Sequence, residues 1–564
     1  MLEAQRCQEM GECALGMNVL VHGMPFFCDR GIVRRYVGAN DIRTFGPDAD
    51  FDYTYAPLEE SASEAIARFT GEWRPDVLLC WQPETYPPPR GIESVSLRTV
   101  AMVSDWNVFY PVLEENLSRF DVVLTDRPGV DVFTSERVSP HHIRPLYSQI
   151  TPVHYPHAAQ RDIDVLFIGN LNHSAHRNRA RYLERIAKLS DRYHIVITTG
   201  IEGEAYGRLM SRARIVFNHS IRGEVNLRVF ETMACGAMAM LENANIEVRD
   251  WFTDGEDIVL FDEGNFEEKL ALFITHPMEA ETIAQAGHKR IASMSGEETL
   301  DDIIAAVMRL PGSGRKFHSL GELEQIYQTA LMYGRLTSKT WRSYVAGLFG
   351  HLLDHAPGDA RVHTAYVHYL LGDAERDWDR IQQHATRAVD LAPDSIPYAL
   401  NALTIEEWLT STKPDSAKLL PLLKKNSVEG AGLLLGTQAD PFWTRCYELV
   451  AHGSITPDVM HAEILVRSLP TATSFEEGQQ RMDLAMNLDA VAGPWLLAHA
   501  ELVWAHGGKA EAIAFLKSSL PDLPLDVPAR ERLLEWMMDQ GDTDAWKALS
   551  EETLQILQAF PETV

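Results

Sequence analysis

Apolar residues in this chain fall into short unbroken runs separated by amphipathic stretches, and the pattern holds to about residue 310 before it changes. Asn18–His22, Asp76–Trp81, Thr99–Val103 and Asp121–Thr125 are the first such runs, punctuated by Gly, Pro and Asp. Runs that do not alternate predict strands buried on both faces of a parallel sheet. A second set opens with Asp164–Gly169 and a helix near Arg177–Leu189. Strands at His194–Thr198, Ile215–Asn218, Ala237–Leu241 and Asp257–Phe261 follow. Two successive doubly wound units predict two Rossmann-like domains facing a cleft. Their expected spans are 17–156 and 157–310, joined near Thr151–Arg161. Residues 1–16 read as an extension without the basic flank and long apolar stretch of a signal peptide.

Past Pro311–Gly314, helical periodicity takes over, so the predicted class is α/β plus α, with 315–564 helical. Two segments share a spacing of small residues. Ala365, Gly372, Ala388 and Pro393 mark one helix pair; Ala500, Gly507, Ala512, Leu516 and Pro524 mark another. Small residues let paired helices approach and proline ends the second helix, as in tetratricopeptide-like (TPR-like) repeats. An ordinary helical bundle is the alternative.

Composition narrows the partners. The 564-residue chain is 45% hydrophobic and 23% charged, ordinary for a folded globular protein, with a net charge of -29. That charge argues against nucleic acid and against broad docking on acidic membranes. The six cysteines, Cys7, Cys13, Cys28, Cys80, Cys235 and Cys446, form no C-x-x-C pair, and no metal-ligand cluster stands out. His141–His142 has no carboxylate or thiol nearby in sequence. No 18-residue apolar run predicts a transmembrane helix. The expectation is a cytoplasmic protein with reduced thiols.

The chemistry concentrates in Asn226–Leu241, which reads as a short helix, a glycine stop and a strand. Asn226 is a candidate cap. Arg228 and Glu231, three residues apart, share a helical face, with Val229, Phe230, Met233 and Ala234 on the packing side. A helix start offers free N–H groups to an anion, Arg228 adds a cation, and Glu231 can accept from a ribose diol. An exposed ion pair on a solvated helix is the alternative. The strand end Asn218–Ser220 precedes this helix, where open α/β sheets bind ligands. The turn at Gly169–Asn170 leads to Arg177 and Arg179 at a helix start, and Arg177 is the preferred phosphate ligand, suited to neutralising a departing diphosphate. In the first unit, His22–Gly23 ends one strand, and Gly23 allows close backbone approach. Asp105 is a candidate base or acceptor-orienting group, Glu84 a second, and Trp106 a surface for stacking on a sugar. His22 in its turn and a capping Asp105 are the plain structural readings. The chain has no GxxxxGK[ST], GxGxxG or GxSxG motif.

These segments carry a resemblance. Phe167–Asn170, Asn218–Ser220, Asn226–Glu231, Ala234–Gly236 and Trp251–Asp257 resemble the C-terminal domain of GT-B glycosyltransferases over residues 163–304. The likeness is to the GT4-like group that includes the CgeB-like family. The resemblance implies a nucleotide-sugar donor (UDP-, GDP- or TDP-sugar), no obligatory cofactor or metal, and a ribose-holding role for Glu231. Relatives that retain configuration often carry a second acid eight positions earlier; here that position is Gly223, and Glu224 is offset by one. Retention is favoured over inversion, with both left open. The expected donor grip is Glu231, Arg228, Arg177, Asn170, Gly169, Asn226, Ser220 and Gly23; the candidate catalytic groups are Asp105, His22 and Glu84. The helical region is expected to recruit a protein acceptor or mediate self-association into a homo-oligomer. A scaffold built on a degenerate transferase is the alternative function.

Overall fold

The structure is a computed structural model. It describes residues 17–23, 41–46, 51–55, 60–69, 73–84, 88–104, 106, 113, 116–135, 138–142, 154–157, 160–169, 177–220, 223–294, 300–310, 322–334, 339–373, 376–410, 462, 465–466, 468–488 and 495–559. Asp105, Asn170 and the extension 1–16 lie outside these residues.

The first sheet contains β1 (Asn18–His22), β2 (Asp41–Gly46), β3 (Tyr53–Thr54), β4 (Val77–Trp81), β5 (Arg98–Met102), β6 (Val122–Thr125) and β7 (His141–His142). Every pairing is parallel and the spatial order is β3-β2-β1-β4-β5-β6-β7. Val77–Trp81 is buried at every position, as a central parallel strand requires. β2 is a strand the pattern did not announce, because Asp41 and Arg43 interrupt its apolar run. The Arg43 guanidinium lies 4.5 Å from the Trp73 ring and donates to Tyr53, so contacts from elsewhere in the fold complete it.

The second sheet contains β8 (Ile163–Ile168), β9 (Ile195–Thr198), β10 (Ala213–Phe217), β11 (Met238–Glu242) and β12 (Val259–Phe261), again all parallel, in the order β12-β11-β10-β8-β9. The chain winds outward from β8 in both directions, so the order reverses between β8 and β10. That reversal opens a crevice beyond the carboxyl ends of those two strands.

Within 157–310, the last helix, Leu300–Arg309, lies against the first sheet: Ile303, Ile304 and Val307 pack with Val19, Leu79, Val100 and Val122. The Arg98 side chain donates to the Leu310 carbonyl at its end. The chain therefore returns to the first unit after building the second.

From Glu322 onward the described residues are helical. Helix pairs such as Ala360–Leu371 with Trp378–Leu391, and Trp495–Ala505 with Lys509–Ser519, bury Ala365, Ala388, Ala500, Ala512 and Leu516 between them. This region touches both α/β units. Tyr333 Oη donates to the Pro88 carbonyl of the first unit at 3.0 Å. Leu525 enters the core of the second unit, and its N–H donates to Glu184 at 2.8 Å.

Burial pushes the Glu184 carboxyl up to about 8, against the opposing effect of the Leu525 N–H. A carboxyl whose folded value is raised contributes stability that is complete below the ordinary carboxylate range and is lost as pH rises through about 8. The melting midpoint should therefore fall across that window, and Glu184→Gln should flatten this part of the profile. Calorimetry of both proteins as a function of pH measures it.

Candidate functional site

The crevice of the second sheet is built from four segments: the end of β8, the end of β10, the helix Leu227–Ala234, and the helix Arg177–Ala187. Leu227–Ala234 forms because Val229, Phe230, Met233 and Ala234 are fully or almost fully buried against β11 and the helix Pro277–Met294, and Gly236, at φ 76, stops it. Asn226 stands at the cap position with extended backbone, but its side chain makes no capping bond. It pairs with Asn218 instead: Asn218 Nδ2 donates to Asn226 Oδ1 at 2.7 Å and Asn226 Nδ2 to Asn218 Oδ1 at 3.2 Å.

Asn218 also receives Nη1 of Arg228 at 2.7 Å, which holds that guanidinium across the crevice. The Arg228 guanidinium lies 5.0 Å from the centre of the Phe167 ring, and the Arg179 guanidinium lies 5.2 Å from it. Two cations thus converge on one aromatic ring at the end of β8. Arg228 Nε has no hydrogen-bond partner among the described residues. Gly169 makes room for this arrangement, because a Cβ there would collide with the Arg228 guanidinium. Arg177 begins its helix, but its side chain lies outside the described residues. Arg179 is the cation of that segment that the fold demonstrably brings to the ring.

Glu231 is buried one turn along. It accepts from Tyr206 Oη at 2.6 Å and lies 3.5 Å from His154 Nε2. Burial raises its carboxyl, opposed by the Tyr206 hydrogen bond and the Arg228 charge. Burial also lowers His154 to about 4, so at neutral pH Glu231 meets a neutral imidazole and a phenol. Ser220 is committed elsewhere. Its N–H donates to both oxygens of Glu242 at 3.1 Å, and its hydroxyl donates to the same carboxylate. Burial pushes Glu242 up to about 7. Glu224, the offset acid, is itself buried beside this network.

The first sheet reverses order between β1 and β4, and His22 and Glu84 lie near those strand ends. His22 is buried, edge-on to Phe45 and Tyr55, with Nε2 at 3.3 Å from Tyr55 Oη. Burial lowers its imidazole to about 3, which keeps it neutral. Gly23 turns the chain at φ 118, a conformation that favours glycine. Glu84 is fully buried and accepts from Ser104 N–H at 2.8 Å and Ser104 Oγ at 3.1 Å. Trp106 is not a stacking surface: it is 0% exposed, packs edge-on with Phe133 and donates Nε1 to Asp126 at 2.9 Å. Its indole is a core anchor for the turn after β6.

Residues 156–304 match the family model described as glycosyl transferase-like. The two parallel sheets with their helices form two Rossmann-like α/β units, and the stretch that resembles this family contains the second of the two sheets. No curated protein sequence matches the chain. An alpha-glucosyltransferase, solved in complex with UDP and a 13-mer DNA containing a central A:G mismatch, aligns at TM-score 0.38 and 11% identity, over 52% of this chain and 100% of that one. Sucrose-phosphate synthase from Thermosynechococcus elongatus aligns at 0.35 and 12%, over 52% and 98%. The TarM crystal structure aligns at 0.33 and 9% identity over 42% of this chain, which spans 55% of TarM's length.

A paired cation site of this kind should bind a small polyanion. Gly169→Ala should displace the movable end of Arg228 and leave the fold in place, with a melting midpoint within about 2 °C of the parent. Pyrophosphate binding, measured by calorimetric titration, should weaken about tenfold, the loss expected for one charge-assisted hydrogen bond.

Proposed function

We propose that the chain is a glycosyltransferase that moves a sugar from a nucleoside diphosphate sugar to an acceptor hydroxyl, with the donor held on the second unit. The observation that carries this reading is the convergence of Arg228 and Arg179 on Phe167 beside Gly169, at the point where the second sheet reverses order. Arg228, held by Asn218, and Arg179 supply positive charge to the diphosphate, which gains negative charge as the sugar departs. Glu231 holds the ribose by exchanging its present phenol and imidazole neighbours for the diol. The guanidinium pair makes the reaction metal-independent. Configuration is retained, and the departing phosphate accepts the acceptor proton. The acceptor approaches from the first unit, where Asp105, Glu84 and His22 are the groups closest in chemistry to a base; His22, kept neutral by burial, suits a hydrogen-bonding role.

The acceptor in this reading is a protein, recruited by the helical region. The buried small residues at Ala365, Ala388, Ala500 and Ala512 support TPR-like helix pairing. An open groove of about 600 Å³ between the last two helices, lined by Glu531, Leu534, Glu535, Met538, Asp539 and Trp546, offers a surface for such a partner.

A thermal-shift and hydrolysis panel of UDP-, GDP- and TDP-sugars tests the central claim. At least one donor should raise the melting midpoint and be slowly hydrolysed. Arg228→Ala should weaken that donor about tenfold or more, and Glu231→Ala should abolish transfer. No stabilisation by any donor, with both variants behaving as the parent, would establish the scaffold alternative instead.

A further inference from the structure

Glu247 stands outside the crevice, at the start of the short turn Val248–Asp250, yet its carboxylate serves both α/β units. It is 1% exposed. Oε1 accepts the main-chain N–H of Arg127 at 2.8 Å and lies 3.0 Å from His142 Nε2. Both partners belong to the first unit: Arg127 opens the helix after β6, and His142 is the last residue of β7. Oε2 accepts the N–H of Val225 at 3.0 Å, just ahead of the Arg228 helix. Asn245 reinforces the same loop, accepting the N–H groups of Glu247 and Val248 and donating to the Glu224 carbonyl. An Arg127–Asp250 ion pair flanks the contact.

Burial opposes ionisation of Glu247, but the bonds from His142, Arg127 and Val225 outweigh it and hold the carboxyl below its ordinary range. A buried carboxylate loses far more when its donors leave than an exposed one does. Parting the two units strips Oε1 of both its donors while Oε2 still grips the loop. The geometry points to Glu247 as a positioning residue that couples the apposition of the two units to the placement of the Val225–Arg228 segment, and through it to the Arg228 cation. This rests on the donor reading above for its functional meaning, but the coupling itself is a property of the fold.

The test places the perturbation in one unit and reads the effect in the other. His142→Ala removes a first-unit donor at a side chain that is 28% exposed, so the substitution is mild for folding. Hydrogen exchange of the full-length protein should accelerate about threefold or more at the amides of 225–229, while amides of β1 and β4 stay at parental rates. UDP, GDP or TDP, whichever binds the parent, should bind about threefold or more weakly. His142→Gln keeps a donor and should restore both readouts. Glu247→Gln must turn an amide nitrogen toward one set of N–H donors and should exceed His142→Ala in both effects. Parental exchange at 225–229 in His142→Ala and Glu247→Gln alike would overturn the coupling. Accelerated exchange together with no binding of any of the three nucleotides to the parent would uphold the coupling and overturn the donor reading.

Discussion

Adjacency of β8 and β10 is the constraint from which the site follows. These strands are separated in sequence by β9 and the two helices Arg177–Ala187 and Gly203–Arg212, yet they pair directly, with Val165 opposite Ile215 and Leu166 opposite Val216. Pairing fixes the two strand ends at a strand's width, so Gly169 and Asn218 face one another across a gap that neither segment creates alone. Arg228 spans that gap because Asn218 holds one side of its guanidinium and Phe167 lies under it. The absent side chain at Gly169 is the counterpart of the long one at Arg228, and both depend on the strand order.

Electrostatics inside the second unit runs against the charge of the whole. The chain is strongly acidic, but its crevice concentrates two guanidiniums, and its buried carboxylates are each satisfied in a different way. Glu231 has a phenol, Glu242 a serine, and Glu247 three donors drawn from two units. Desolvation favours the neutral form in every case, and the number and kind of donors decide whether it prevails. Glu242 is pushed up to about 7 despite its serine, whereas Glu247 is pulled below the ordinary range. Global charge thus governs what the surface meets, and local donors govern what the interior can hold.

The central strands were legible because burial on both faces demands unbroken apolar runs, and Asn18–His22 forms with the expected bounds. β2, β3 and β7 were not, since each is short or polar and is completed by neighbours brought in by the fold. Around the crevice, the Arg228 helix and its buried face could be read from spacing, because helical periodicity is local. Long-range pairings could not. Asn218 as the partner of both Asn226 and Arg228 carried only the signal of a polar strand end. Arg179 at the Phe167 ring is likewise a contact between a helix and a strand, and spacing alone does not show it. His142 lacks an acidic neighbour in sequence, and its partner Glu247 arrives from 105 residues away. Trp106 is a shorter-range case of the same kind, since its core role depends on Asp126, 20 residues away, and on Phe133.

The return of Leu300–Arg309 to the first sheet has a mechanical consequence. The chain passes between the units twice, once ahead of β8 and again between Met294 and Leu300, so two covalent tethers join them. A single tether would leave a swivel free to twist in any direction. Two tethers restrict the relative movement of the units more than one does. The helical region, anchored to the first unit at Pro88 and to the second at Glu184, lies across that movement as a strut. A swing of one unit against the other therefore loads these two contacts.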